Sequence, residues 1–220
     1  MYTHLEAHHN MRAPRRMMPF LLALFRPTSI LDVGCGLGTW IAAARELGVH
    51  DVLGIDGDYV DRALLKVNED EFRPVDLQAP FDLDRTFDLA ISLEVGEHLP
   101  ESSADGFVDS ICRHANVVLF SAANPAQHAG QNHINCQWPD YWERKFRSRG
   151  YLPYDFVREI FWECNEIEWW YRQNMVVFAL AGTLPYPSKS PLRMIHPDML
   201  MEKMRLIERL QAQLSTPGAR

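Results

Sequence analysis

The stretch Ile30-Leu31-Asp32-Val33-Gly34-Cys35-Gly36-Leu37-Gly38-Thr39-Trp40 decides how the rest of the chain is read. A short run of strand character leads into glycines at alternate positions, and a segment of helical character, Thr39–Leu47, follows. Glycine reaches positive φ without strain and lets a ligand approach the backbone closely. A strand–glycine–helix passage is a way of holding a ligand at the end of a parallel strand. The spacing here is G-x-G-x-G, not the G-x-G-x-x-G of pyrophosphate-binding loops, and Asp32 comes just before it. A carboxylate there repels pyrophosphate and suits a ligand with a cationic amino group, which argues against a nicotinamide dinucleotide. Taken alone, the glycines also fit a tight structural turn.

Working outward, the body alternates strand-like and helix-like segments, the pattern of a parallel sheet wrapped by helices. Strands are expected at 29–33, 52–55, 72–75, 87–92, 117–121, 154–160 and 175–180, with helices at 39–47, 59–67, 104–114 and 138–149. Ile30–Val33 and Asn116–Phe120 are nearly continuous apolar runs, as expected of strands covered on both faces. The second strand ends in Asp56, eighteen residues beyond Gly38, where a carboxylate can accept both hydroxyls of a ribose. The third leads to Asp76 and Leu77, an acceptor for an adenine amino group and an apolar cover for a ring face.

These motifs, with Phe87-Asp88-Leu89-Ala90-Ile91-Ser92, make residues 29–121 resemble the Rossmann-like (class I) S-adenosylmethionine-dependent methyltransferases. The resemblance implies an α/β three-layer sandwich with seven strands in the order 3-2-1-4-5-7-6, strand seven antiparallel. It implies that Asp32, Gly34, Cys35, Gly36 and Gly38 hold the methionine part of S-adenosylmethionine, Asp56 the ribose, and Asp76 and Leu77 the adenine, with Glu94 beside the cofactor. The stretch 121–174 is similar to uncharacterised bacterial and phage-type methyltransferases, nearest to small-molecule enzymes. The division expected is an N-terminal helical segment (1–28), the methyltransferase domain (29–182), and a Pro-rich linker with a C-terminal amphipathic helix (183–220).

The acceptor side is read from Glu94-Val95-Gly96-Glu97-His98. In one helical turn Glu94, Glu97 and His98 share a face and can bind a divalent cation, Mg2+ or Mn2+. The E-x-x-E-H arrangement resembles metal-dependent methyltransferases of ubiquinone biosynthesis and of small-RNA 2′-O-methylation; hydrogen bonding that orders the loop is the alternative. In the polar stretch 121–135, His128 and His133 are candidates for a general base or a fourth metal ligand, with His133 favoured because Asn132 and Asn135 flank it. Glu94, His98 and His133 are the catalytic candidates. Of the aromatic residues Trp138, Tyr141, Trp142, Trp162, Trp169, Trp170 and Tyr171, most are expected in packing and a few on the acceptor pocket, with Arg172 or Asn174 facing it.

A net charge of −7 disfavours a nucleic-acid partner, and the basic cluster Arg144, Lys145, Arg147, Arg149 reads as a solvated helix face. The four cysteines form no CxxC pair, which fits a reduced, cytoplasmic chain without a zinc site. Arg12, Arg15 and Arg16 precede the apolar run Met17–Phe25, but Arg26-Pro27 follows where a signal peptide has small residues, so a packed helix is expected. That run is too short to span a bilayer. The last helix, 196–214, has Leu200, Met204, Ile207, Leu210 and Leu214 at helical spacing. It is free to pack on the domain, pair with a second copy in a homo-oligomer, or sit loosely. The expected activity is methyl transfer to a small-molecule hydroxyl, metal-assisted if the cation site exists; the competing reading is a cofactor-binding protein without methylating activity.

Overall fold

The computed structural model describes residues 10–128 and 130–215, so the outermost parts of the expected terminal segments, 1–9 and 216–220, and Ala129 of the polar loop lie outside the described residues. Strands β1 (Ser29–Val33), β2 (Asp51–Asp56), β3 (Phe72–Pro74), β4 (Leu89–Leu93), β5 (Val117–Ser121), β6 (Tyr151–Tyr154) and β7 (Val176–Leu180) form one sheet in the order β3-β2-β1-β4-β5-β7-β6. β7 runs antiparallel to both of its neighbours, and the remaining pairs are parallel. This is the expected Rossmann-like order.

The helices are α1 (Arg12–Phe25), α2 (Thr39–Glu46), α3 (Ala104–His114), α4 (Pro139–Arg147), α5 (Val157–Phe161), α6 (Trp169–Asn174) and α7 (Pro197–Ser215). Successive strand residues point to opposite faces, and two cores follow from that alternation. Leu31, Val33, Val118 and Phe120 face Phe107, Ile111, Trp142 and Phe146 of α3 and α4. Ile30, Ile91, Val117 and Leu119 face Met17, Leu21, Ile41 and Phe161 of α1, α2 and α5. The apolar run after the N-terminal arginines thus forms part of the second core, as Met17, Met18 and Leu21 are buried.

One expected element is absent and another is displaced. The segment 59–67 was expected to be a helix, but it holds only a 3₁₀ turn at Arg62–Leu64. Its backbone is drawn onto the glycine loop: the Lys66 N–H donates to the Leu37 carbonyl at 2.8 Å, and Arg62 lies over the Phe72 ring at 4.4 Å. The strand expected at 154–160 ends at Tyr154. Its ladder partner on one side is β7 and its other side is an edge, which tolerates Pro153. Beyond it the Asp155 N–H donates to Ser188 Oγ and the Asp155 carboxylate pairs with the buried Arg158, so the backbone turns into α5.

The basic cluster on and after α4 is paired within the fold: Arg144 on Asp140, Lys145 on Asp105, Arg147 on Glu143, and Arg149 on Asp109 and Asp105. Among the described residues no helix is long and apolar enough to cross a membrane.

Candidate active site

Parallel strands deliver their carboxyl ends to one edge of the sheet, where α/β ligands bind. Asp56 ends β2 there, Gly34, Asp76 and Glu94 follow β1, β3 and β4, and the polar loop follows β5. Because β7 is antiparallel, it starts at that same edge, so α6 arrives at the site just before it. A cavity of about 480 Å3 runs along this edge, within the usual range for ligand sites. Its wall includes Gly34, Asp56, Asp76, Leu77 and Glu94, and continues through Glu97, His98 and His133 to Trp169, Trp170 and Tyr171.

The glycine loop has the geometry that its composition demands. Gly34, Gly36 and Gly38 take φ of 81°, 52° and 77°, a region L side chains rarely adopt. A Cβ on Gly34 would stand 2.3 Å from the Val95 side chain, so no other residue fits there. The loop is tied to the end of β2: the Gly34 and Cys35 N–H groups donate to the Ile55 carbonyl, and the Gly36 N–H donates to Asp56 Oδ2 at 2.8 Å. Asp56 Oδ1 accepts from the Gly57 N–H and from the Tyr59 hydroxyl at 2.9 Å. Asp56 therefore both holds the loop and reaches the cavity. Asp32, Cys35, Gly36 and Gly38 stand behind the wall. Asp32 is buried, its Oδ2 has no hydrogen-bond partner, and burial together with the charge of Asp56 pushes its carboxyl up to about 8. An orphaned carboxylate beside a backbone cradle fits a nucleoside cofactor that carries a cationic amino group.

At the other end, the expected helical turn begins only at Gly96, as a 3₁₀ turn over Gly96–His98. Glu94 lies before it with φ 56°, held by its N–H on the Ser121 carbonyl and hydroxyl. Positive φ in a glutamate is a strained conformation of the sort that collects at functional sites. Glu94 consequently lies outside the turn that carries Glu97 and His98, although its carboxyl group stays close enough to interact with that of Glu97. Glu97, His98 and His133 instead come together, each offering a ligand atom within 4.8 Å of the others. Glu97 is fully buried with neither carboxylate oxygen in a well-formed hydrogen bond; burial, and then the charge of Glu94, push its carboxyl well upward, and the nearby Glu97 and Ala123 N–H groups restrain that rise. Burial pushes Glu94 up to about 7, and hydrogen bonds from Ser121 and Asn174 restrain that rise.

The two imidazoles are 5.0 Å apart, nearly perpendicular. His133 Nδ1 lies 2.9 Å from the Gln127 carbonyl and His98 Nδ1 lies 3.2 Å from the Asn132 carbonyl. An Nδ1–H donated to the Gln127 carbonyl would place the lone pair of His133 on Nε2. Burial lowers the His133 pKa, favouring the neutral form that a metal requires. His128, by contrast, is exposed, with Nδ1 3.2 Å from the Pro125 carbonyl, outside the cavity wall.

The aromatic residues divide cleanly. Trp142 is buried in the core, Trp162 packs on His196, and Trp138 lies under Arg193, whereas Trp169, Trp170 and Tyr171 line the cavity. Of the two α6 candidates, Asn174 donates to Glu94 Oε1 at 3.1 Å, and Arg172 turns away to pair with Asp198 of α7. Tyr59, Gln127, Glu202 and Lys203 also line the cavity. Tyr59 lay within the segment expected to be helical, and no local motif marks the other three.

The sequence model of a family described as a methyltransferase domain matches residues 6–174. The chain belongs to this methyltransferase family. No curated protein matches it in sequence. The methyltransferase is similar in structure to the sugar N-methyltransferase KedS8 from Streptoalloteichus sp. (14% identity, 82% of this chain and 96% of that one, TM-score 0.62). It is also similar to Streptomyces venezuelae DesVI (15%, 77% and 93%, TM-score 0.57) and to the methyltransferase domain of bacterial CtHen1 (16%, 78% and 100%, TM-score 0.55). With this family and this fold, the protein is an S-adenosylmethionine-dependent methyltransferase.

Proposed function

We propose that the enzyme moves a methyl group to the hydroxyl of an uncharged small molecule with a flat apolar face, such as a sugar or a phenolic ring, assisted by a divalent cation. The observation that carries the reading is Glu97, buried with neither oxygen in a well-formed hydrogen bond, beside two imidazoles that each bring a ring nitrogen within ligand distance. A buried carboxylate without a partner costs several kcal/mol, and a cation held by Glu97, His98 and His133 removes that cost. Mg2+ or Mn2+ there would weaken an acceptor O–H bond. Trp169, Trp170 and Tyr171 offer flat faces to a ring. Carboxylates outnumber ammonium groups on the wall, which disfavours an anionic acceptor.

S-adenosylmethionine supplies an activated methyl on a sulfonium. In this reading the glycine loop, Asp32, Asp56, Asp76 and Leu77 hold it, with Cys35 shaping the loop from behind. Glu94, at the junction of cofactor and acceptor, orients the acceptor hydroxyl and receives its proton; His133 takes that role only where it does not hold the cation. Positioning of the two reactants supplies much of the rate.

A second reading, transfer to an amine, is favoured by the same buried carboxylate, which a protonated amine would satisfy; KedS8 is a sugar N-methyltransferase. Both are tested by incubating the protein with methyl-labelled S-adenosylmethionine and a panel of sugars, aminosugars and phenols, with and without EDTA. An O-methyl product lost with EDTA and restored by Mn2+ is expected. An N-methyl product moves the assignment to the second reading, and chelator-resistant turnover by metal-free protein removes the cation. Cofactor binding with no turnover across the panel would favour a non-methylating protein.

A further inference from the structure

The side chain of Gln127, in the 3₁₀ turn Pro125–Gln127, is buried between the site and the C-terminal segment. Three donors converge on its Oε1: the Asn124 N–H, Gln173 Nε2 and Asn174 Nδ2, each at 3.0 Å. That convergence sets the orientation of the amide. Asn174 Nδ2 also donates to Glu94, and the Gln127 carbonyl faces His133 Nδ1. On its far side Gln173 accepts the His196 N–H at 2.7 Å, just ahead of α7.

The geometry points to Gln127 as the positioning residue of this site. Its Oε1 holds Asn174 where Asn174 can orient Glu94. The same Oε1 closes the turn that aims the Gln127 carbonyl at His133, so one buried amide sets the direction of a carboxylate after β4 and of an imidazole in the loop after β5. Gln127 itself carries out no chemistry. A buried amide cluster is held in one arrangement because each group left unpaired is costly. The inference rests on reading Glu94 and His133 as site residues, but not on the identity of the acceptor.

The test compares Gln127→Met, which keeps length and removes Oε1, with Gln127→Glu, which keeps an acceptor oxygen for the three donors. The first readout is the 15N spectrum of His133, assigned with His133→Gln. The contact of Nδ1 with the Gln127 carbonyl predicts a parent spectrum with Nδ1 protonated and Nε2 not. Gln127→Met should give mixed tautomers, and Gln127→Glu should restore the parent spectrum. The second readout is Mn2+ binding by electron paramagnetic resonance, expected to weaken about tenfold or more in Gln127→Met, the usual effect of losing a group that orients a ligand.

A folded Gln127→Met with the parent His133 spectrum and parent Mn2+ affinity overturns the proposal. Failure of Gln127→Glu to restore the tautomer overturns it as well, since the role is then not that of Oε1. If Mn2+ binds neither the parent nor the variants, the cation reading fails, and the His133 spectrum alone decides on Gln127. Should Gln127→Met not fold, Asn174→Ser leaves the turn intact. In that variant, carboxylate 13C shifts of Glu94 identical to those of the parent count against the relay through Asn174, and altered shifts support it.

Discussion

Asp32→Asn separates the apo fold from the liganded enzyme by pH. The carboxyl is buried at the end of β1 with Oδ2 unpartnered, and its pKa is pushed up to about 8, first by burial and then by Asp56. In the unfolded chain it titrates near 4, so the folded state binds its proton more tightly. Its contribution is present in full below pH 4 and is lost as pH rises towards 8. Each unit of separation is worth about 1.4 kcal/mol, so this one group removes roughly 4 kcal/mol between pH 4 and 7. Asparagine keeps the shape and cannot ionise. Apo Asp32→Asn should therefore hold its Tm across pH 5 to 8 better than the parent does, with a gap near pH 7.5 of roughly 10 °C for a domain of this size. Saturating S-adenosylmethionine should close much of that gap if, as proposed, its amino group supplies the cation that Asp32 lacks, since ligand binding to the parent adds stability by mass action. Differential scanning fluorimetry over that pH range, with and without ligand, measures both effects. Equal pH slopes for apo parent and variant would refute the argument from the orphaned carboxylate. A variant that binds the cofactor as tightly as the parent would refute the amino-group contact.

Three further outcomes follow from the geometry. Asp56→Ala should stay folded by circular dichroism while S-adenosylhomocysteine affinity falls between ten- and a hundredfold, since loss of a charged acceptor costs roughly 1.5–3 kcal/mol; unchanged affinity by calorimetry removes Asp56 from the ribose. Gly36→Val puts a β-branched residue at φ 52°, which should cost about 1–2 kcal/mol of stability and abolish cofactor binding; normal binding would reduce the glycine loop to a turn. Glu97→Gln should lose Mn2+ binding in titration calorimetry and keep cofactor affinity within twofold, and retention of Mn2+ binding would exclude Glu97 as a ligand.

The half of the candidate site around the glycine loop was legible in the sequence because it is built from local signals. Glycines at alternate positions, and carboxylates at the tips of β2 and β3, carry their geometry with them once the strands are parallel. The acceptor half was legible only in its residue types. His98 and His133 are thirty-five residues apart and meet because β4 and β5 are neighbours in register. Glu94 was expected to share a helical face with Glu97, but its backbone is bound to Ser121 of the adjacent strand and takes positive φ instead.

The segments misread by pattern were misread for one physical reason. Residues 59–67 have helical spacing, yet a hydrogen bond to Leu37 and packing of Val67 against Gly38 outweigh local propensity. Tyr154–Ile160 has strand composition, yet Asp155 and Arg158 form a pair that only a turn can accommodate.

By itself the sequence determined the fold class, the strand order through its family motifs, and the place of the glycine loop, all of which depend on periodicity and on residues near one another in the chain. Tertiary structure decided that Glu97 rather than Glu94 stands with the two histidines, and that Asn174 and not Arg172 faces Glu94. It also decided that α7 brings Glu202 and Lys203 to the cavity wall. Those outcomes depend on which buried polar groups find partners across separate strands, and satisfaction of that kind is settled only when the strands are assembled.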